Sequence, residues 1–222
     1  MTTLTILDTE TAGLKPPASG SGLVEFAYLI VDPQSLGIQY EFVSRINPGC
    51  DIDPGAQAVH GISAEDVADA PTLHSRMLPF DDVLAVGHNV AFDLRFLTPT
   101  FTQIKRNICT LTLARRHVKG VLNHKLTTLA AHFKLPEQQA HSALGDCYYV
   151  LGLLRELTNI TGKTVLELED RSNSAAVFHQ MPFGKYKGRP LHQVPTDYLE
   201  WFSKQDIEGD LKKTIEIHLK VR

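Results

Sequence analysis

The chain has 222 residues, 43% hydrophobic and 21% charged, a balance that fits one sizeable globular domain with room for a small appendage. No apolar run reaches the roughly 18 residues needed to cross a bilayer, so no helical membrane span is expected. The N-terminus has no signal-peptide shape, and Cys50, Cys109 and Cys147 form no CxxC pair. A cytoplasmic protein without a disulfide framework or a zinc site is therefore expected.

Leu4 to Leu7 reads as a first strand that ends at Asp8-Thr9-Glu10. Lys15 to Gly22 is a Pro/Gly loop, followed by a strand from Leu23 to Val31. A third strand runs from Tyr40 to Ile46 and is closed by Asn47-Pro48-Gly49. Ser63 caps a helix start at Ala64-Glu65-Asp66. Val83 to Val86 is a short buried strand, and Phe92 begins a helix that Pro99 ends. Thr110 to His117 and Leu126 to Phe133 read as helices. The longest helix runs from about Ser142 to Leu157, with apolar residues at helical spacing. Strands first, then strand and helix alternating, predict an α/β domain with a mixed sheet.

The texture changes after Thr161-Gly162. The expected division is a domain over 1–162, a linker over 163–179 and a small module over 180–222. The module opens with a hairpin-like Gly/aromatic stretch, Phe183 to Gly188. Helices from Thr196 to Ser203 and from Glu208 to Lys220 follow.

A net charge of −3 and a pI of about 6.4 argue mildly against nucleic acid. The distribution argues the other way. No acidic residue lies between Asp93 and Glu137, where Arg95, Lys105, Arg106, Arg115, Arg116, Lys119, Lys125 and Lys134 fall. A second acid-free stretch from Arg171 to Thr196 holds Lys185, Lys187 and Arg189. Such asymmetry builds either a positive binding surface or a merely solvated face.

Asp8 and Glu10 are two apart on a strand and so point to one side. Two carboxylates on one side are costly unless protonated or neutralised, and a divalent metal neutralises them. Asp93 falls in the first turn of a helix after a buried strand, where the dipole favours a carboxylate. His141 and Asp146 are five apart, which places His141 on the loop before the longest helix and Asp146 one turn inside it. Each feature alone is also compatible with a cap or a solvated side chain.

The combination is more specific. Asp8-Thr9-Glu10-Thr11-Ala12-Gly13-Leu14, then Val59-His60-Gly61-Ile62, then His88-Asn89-Val90-Ala91-Phe92-Asp93, then His141 with Asp146 resemble, in order and spacing, the motifs of the DnaQ-like exonucleases of the DEDDh branch. The resemblance covers residues 1 to about 160. It implies a ribonuclease H-like fold, a mixed five-stranded sheet flanked by helices, here with a small C-terminal α+β module. It also implies 3′→5′ hydrolysis of DNA, single-stranded or at duplex 3′ ends, releasing nucleoside 5′-monophosphates. Two divalent ions, Mg²⁺ or Mn²⁺, are implied, held by Asp8, Glu10, Asp93 and Asp146, with His141 as general base. Leu14 resembles the position that wedges against the terminal base. Thr9, Thr11, His60, Asn89 and Phe92 are implied near the substrate strand. The Pro16–Gly22 loop is longer than is common in the family.

An RNA exonuclease and a polymerase-bound proofreading module are the alternatives. In the C-terminal module, Phe183, Tyr186, Tyr198 and Trp201 interleave with Lys185, Lys187 and Arg189. That pattern suits either a nucleic-acid grip or a small aromatic core.

Overall fold

The computed structural model describes residues 2–138, 141–173, 178, 180–205 and 209–221, and they divide into two compact units, residues 1–173 and 174–222. The first unit is built on strands β1 (Thr3–Thr11), β2 (Leu23–Val31), β3 (Ile38–Arg45), β4 (Val83–Gly87) and β5 (Ile104–Cys109). Their order across the sheet is β3-β2-β1-β4-β5. β1 pairs antiparallel with β2 and parallel with β4; β2–β3 is antiparallel and β4–β5 parallel. This is the mixed five-stranded sheet of the sequence reading.

Helices pack on both faces, so strands inside the sheet are buried on both sides. Every residue of β2 and of β4 is buried. One face carries Leu4, Ile6, Leu29 and Val86 against the long helix α6 (Ala143–Thr161), helices α4 (Thr110–His117) and α5 (Leu126–His132), and α7 (Val165–Asn173). The other carries Leu7, Phe26, Tyr28 and Val83 against Phe96 and Leu97 of α3 (Ala91–Leu97). Alternation along β1 therefore sends Leu4 and Ile6 towards α6 and Leu7 towards α3.

Some elements were not foreseen. α1 (Pro54–His60) is capped by Asp53, whose side chain accepts from Gly55 N–H, and is ended by Gly61 in left-handed backbone. β5 was missed because only Ile104 and Ile108 of its six residues are buried. Ser63 does cap a one-turn helix, α2 (Ala64–Val67), through a reciprocal capping box with Asp66.

Residues 163–179, expected as a linker, contain α7, whose Val165 and Leu168 enter the main core. Glu169 on α7 accepts two hydrogen bonds from the Arg106 guanidinium on β5. The division between units thus follows Asn173, and 174–177 and 179 lie outside the described residues. The same ion pair shows that the acid-free run 94–136 is not one free basic face.

The second unit has a core of Met181, Leu191, Val194, Leu199, Phe202, Leu211 and Ile215. It holds α8 (Thr196–Ser203) and α9 (Gly209–Val221). The Gly/aromatic stretch closes as a loop with a single antiparallel bridge, Gln180 to Pro190. Among the described residues no helix is long and apolar enough to cross a membrane.

Candidate active site

β1 outlasts its parallel partner. Its pairing with β4 ends at Ile6–Val86, whereas its pairing with β2 continues to Thr11. The chain leaves β4 at Gly87, where a Cβ would lie 3.0 Å from the Val90 side chain, and turns into α3. A crevice opens at the carboxyl end of the parallel strands, the place where open α/β sheets bind ligands.

Alternation puts Asp8 and Glu10 on the α6 face of β1 and Thr9 on the α3 face. α6 lies across β1 and β2, and its buried Cys147 thiol donates to the Ala27 carbonyl at 3.6 Å. That contact fixes the first turn of α6, and with it Asp146, beneath the crevice. Asp8, Glu10 and Asp146 each offer a carboxylate oxygen, and these oxygens lie within 4.8 Å of one another. On the other side, Asp93 in the first turn of α3 is buried and accepts from the Thr9 hydroxyl at 2.7 Å. Thr9, expected as a substrate contact, thus has its hydroxyl directed to Asp93.

The electrostatics follow from crowding. Burial, then the like charges of Asp93, Asp146 and Glu10, hold Asp8 well above the usual carboxylate range. Burial, then Asp146 and Glu25, push Glu10 up to about 8. Burial raises Asp93 to about 7 against the opposing Thr9 hydrogen bond. Asp146 is also raised by burial, with His141 pulling the other way. Several carboxylates that resist ionisation together, all with oxygen ligands, fit a divalent cation.

His141 is exposed and sits just before α6 in left-handed backbone, φ 56°. Ser142 caps that helix by accepting from Gly145 N–H. This is the loop-then-helix placement read from the spacing.

The sequence reading missed Glu25. It pairs in register with Glu10, is buried, and accepts from Ala143 N–H at 2.8 Å. Its other oxygen lies 3.6 Å from Arg45 Nε. Glu25 therefore ties β2 to the start of α6, three residues from Asp146. The available signal was a lone acid inside an otherwise apolar strand.

A cavity of about 340 Å³ opens beside Glu10, and Thr9, Thr11, Leu14, His60 and Phe92 line it. Leu14 is 81% exposed, so it is not a packing residue. The loop that carries it is fixed by backbone bonds from Ala12 N–H to Gly22 O and from Gly22 N–H to Pro48 O. Gly20, at φ 78°, passes so close to Pro48 and Gly49 that a Cβ there would overlap their backbone. Arg95 lies 5.2 Å from the centroid of the Phe92 ring.

Asn89 does not line this cavity. It is exposed, in left-handed backbone at φ 68°, and its carbonyl accepts from Phe92 N–H. His88 is structural. Burial lowers its imidazole to about 4, its Nε2 lies 2.9 Å from the His124 carbonyl and its Nδ1 3.0 Å from the Thr110 hydroxyl. Lys185, Lys187 and Arg189 are exposed on the second unit.

Residues 5–154 match the family model for exonucleases, RNase_T. Residues 172–222 match a second model, QSregVF_b, a quorum-sensing-regulated virulence-factor family. The chain is 31% identical to exodeoxyribonuclease 10 of Escherichia coli strain K12, covering 97% of this chain and 98% of that protein. It is 33% identical to the DNA polymerase III subunit epsilon of Rickettsia felis, over 69% of this chain and 72% of the relative. Among solved structures, Exonuclease X in complex with 5′-overhanging duplex DNA superposes with a TM-score of 0.61 at 31% identity, over 77% of this chain and 99% of that one.

Proposed function

The chain belongs to the exonuclease family whose model spans residues 5–154, and from that premise we propose that it is a metal-dependent 3′→5′ exodeoxyribonuclease that releases nucleoside 5′-monophosphates. The observation that carries this reading is the convergence of Asp8, Glu10 and Asp146, with Glu10 also lining the adjacent cavity of about 340 Å³. DNA is supported as the polymer by the relative named exodeoxyribonuclease 10 and by the solved complex of Exonuclease X with 5′-overhanging duplex, in which the 3′ ends are recessed. The three free cysteines suit a reducing cytoplasm.

Asp8, Glu10 and Asp146 would hold one divalent ion, and Asp93 would support a second. Mg²⁺ or Mn²⁺ fits the all-oxygen set and would supply neutralised phosphate charge and an acidified water. Thr9 donates to Asp93 at 2.7 Å, which orients that carboxylate. His141, on an exposed loop beside Asp146, takes the proton from the attacking water and is free to return it to solvent. Leu14 and Phe92 exclude water around the terminal nucleotide, and His60 borders the same space.

The test uses oligonucleotides labelled at one end. With Mg²⁺, 5′-labelled single-stranded DNA should shorten as a ladder, and 3′-labelled DNA should yield labelled mononucleotide at once. EDTA should stop both. Labelled mononucleotide released first from the 5′ end would overturn the polarity. RNA degraded faster than DNA of the same sequence would overturn the substrate.

A further inference from the structure

The second unit displays a surface that the chemistry above does not use. Phe183 is 45% exposed and Trp201 54% exposed, although the unit's core is closed without them. They are the outer members of a continuous set of rings. Phe183 lies 5.5 Å from Phe202, Tyr186 4.8 Å from Tyr198, and Tyr198 5.5 Å from Trp201, between centroids.

The loop between the rings is held in shape. Gly184 has φ 83°, and a Cβ there would lie 2.8 Å from the Tyr198 hydroxyl. That hydroxyl accepts from Lys185 N–H at 3.3 Å. Lys185 Nζ lies 5.4 Å and Arg189 Cζ 5.2 Å from the centroid of the Tyr186 ring. Lys185, Lys187 and Arg189 are all exposed, on a turn closed by Lys187 N–H to Gly184 O and Arg189 N–H to Tyr186 O.

We propose that this face binds a single-stranded DNA segment, with bases stacked on Phe183 and Trp201 and phosphates paired with Lys185, Lys187 and Arg189. The choice of DNA rests on the nuclease reading above. Stacking needs unpaired bases, because those of a duplex already stack on one another. A protein-docking face is depleted of lysine, whereas two of the three cations here are lysines. Asp197 and Glu200 on α8 repel phosphate, so the backbone tracks the 183–189 loop rather than α8. The fixed loop lowers the ordering cost of binding.

Trp201 is the only tryptophan in the chain, so its emission reports this face alone. The full chain is titrated in EDTA, where the strand is not degraded, with a thymidine oligomer of about 30 nucleotides. Saturable quenching is expected, with affinity falling as salt rises. Replacing Lys185, Lys187 and Arg189 by Gln together should reduce the slope of log affinity against log salt by up to about 2, at about 0.7 per lost phosphate contact. Trp201→Ala, followed with fluorescein-labelled oligomer, should bind about tenfold more weakly.

Binding without any change in Trp201 emission overturns the proposal. So does an unchanged affinity and slope in a triple variant with wild-type circular dichroism, which leaves the face to a protein partner. The wild-type quenching arm needs no variant. If the wild type quenches but hydrolyses no nucleic acid with Mg²⁺, the nuclease reading fails and this one stands.

Discussion

The two units place their charges in opposite ways. In residues 1–173 the candidate catalytic groups are acids pulled into the protein, with Asp93 and the supporting Glu25 buried and Asp8, Glu10 and Asp146 half-buried. In residues 174–222 the candidate binding groups are cations and rings on the surface, beside a core that excludes them. Crowded buried acids store electrostatic cost that a cation relieves, and this suits chemistry at one point. Exposed cations interact weakly and through salt-screened fields, which suits holding a polymer. Changes in the first unit should therefore alter turnover, and changes in the second should alter affinity alone.

The largest effect is expected from Asp8→Ala. It should reduce nuclease activity to background at any metal concentration while circular dichroism is retained. Activity within tenfold of wild type would show that Asp8 is not needed for the chemistry. His141→Ala should lower turnover by roughly 10²-fold or more, the scale of a general base. Calorimetric affinity for Mn²⁺ should stay near the wild-type value, and a large loss would move His141 into the metal shell.

A smaller effect is expected at Glu25. Removing a carboxylate that accepts from a buried N–H leaves that donor unsatisfied, at a cost of about 1–3 kcal/mol. Glu25→Ala should lower both the melting temperature and turnover, the latter about tenfold, and Glu25→Gln should restore most of each. Equal losses in both variants would show that charge, not the bond to Ala143, matters there. The smallest effect is expected from the Lys185, Lys187 and Arg189 triple replacement on a dinucleotide substrate, whose hydrolysis should not change. A clear fall in that rate would show that these side chains act on turnover and not on affinity alone.

What the sequence made legible follows from periodicity. β4 is buried on both faces and reads as an unbroken apolar run, β2 as one broken only by Glu25, and α8 was bounded by its own pattern. Asp8, Glu10, Asp93, His141 and Asp146 stood out as candidates because their motifs follow one another along the chain. Their closeness was not legible, since it depends on β1 extending beyond β4 and on Cys147 seating α6. β5 escaped because its polar residues find partners, such as Arg106 with Glu169, that hydrophobic patterning does not record. Glu25 escaped because its role is set by the start of α6, 118 residues away. α1 carried a usable signal in Asp53-Pro54 and Gly61, a cap and a stop.

The central claim is that the acids at the end of β1 are held together for a divalent cation. A carboxylate whose folded pKa is raised adds stability below its unfolded pKa and loses it as pH rises through the folded value. For Glu10 that loss runs from about 4.5 to about 8. Thermal unfolding of wild type and Glu10→Gln in EDTA, at pH about 5 and about 8.5, tests this directly. The two proteins should melt close together at the lower pH, and the variant should melt higher at the upper pH. Mg²⁺ or Mn²⁺ at pH about 8.5 should raise the wild type more than the variant. A wild type that melts higher than Glu10→Gln in EDTA at pH about 8.5, and gains nothing from either ion, would contradict the account.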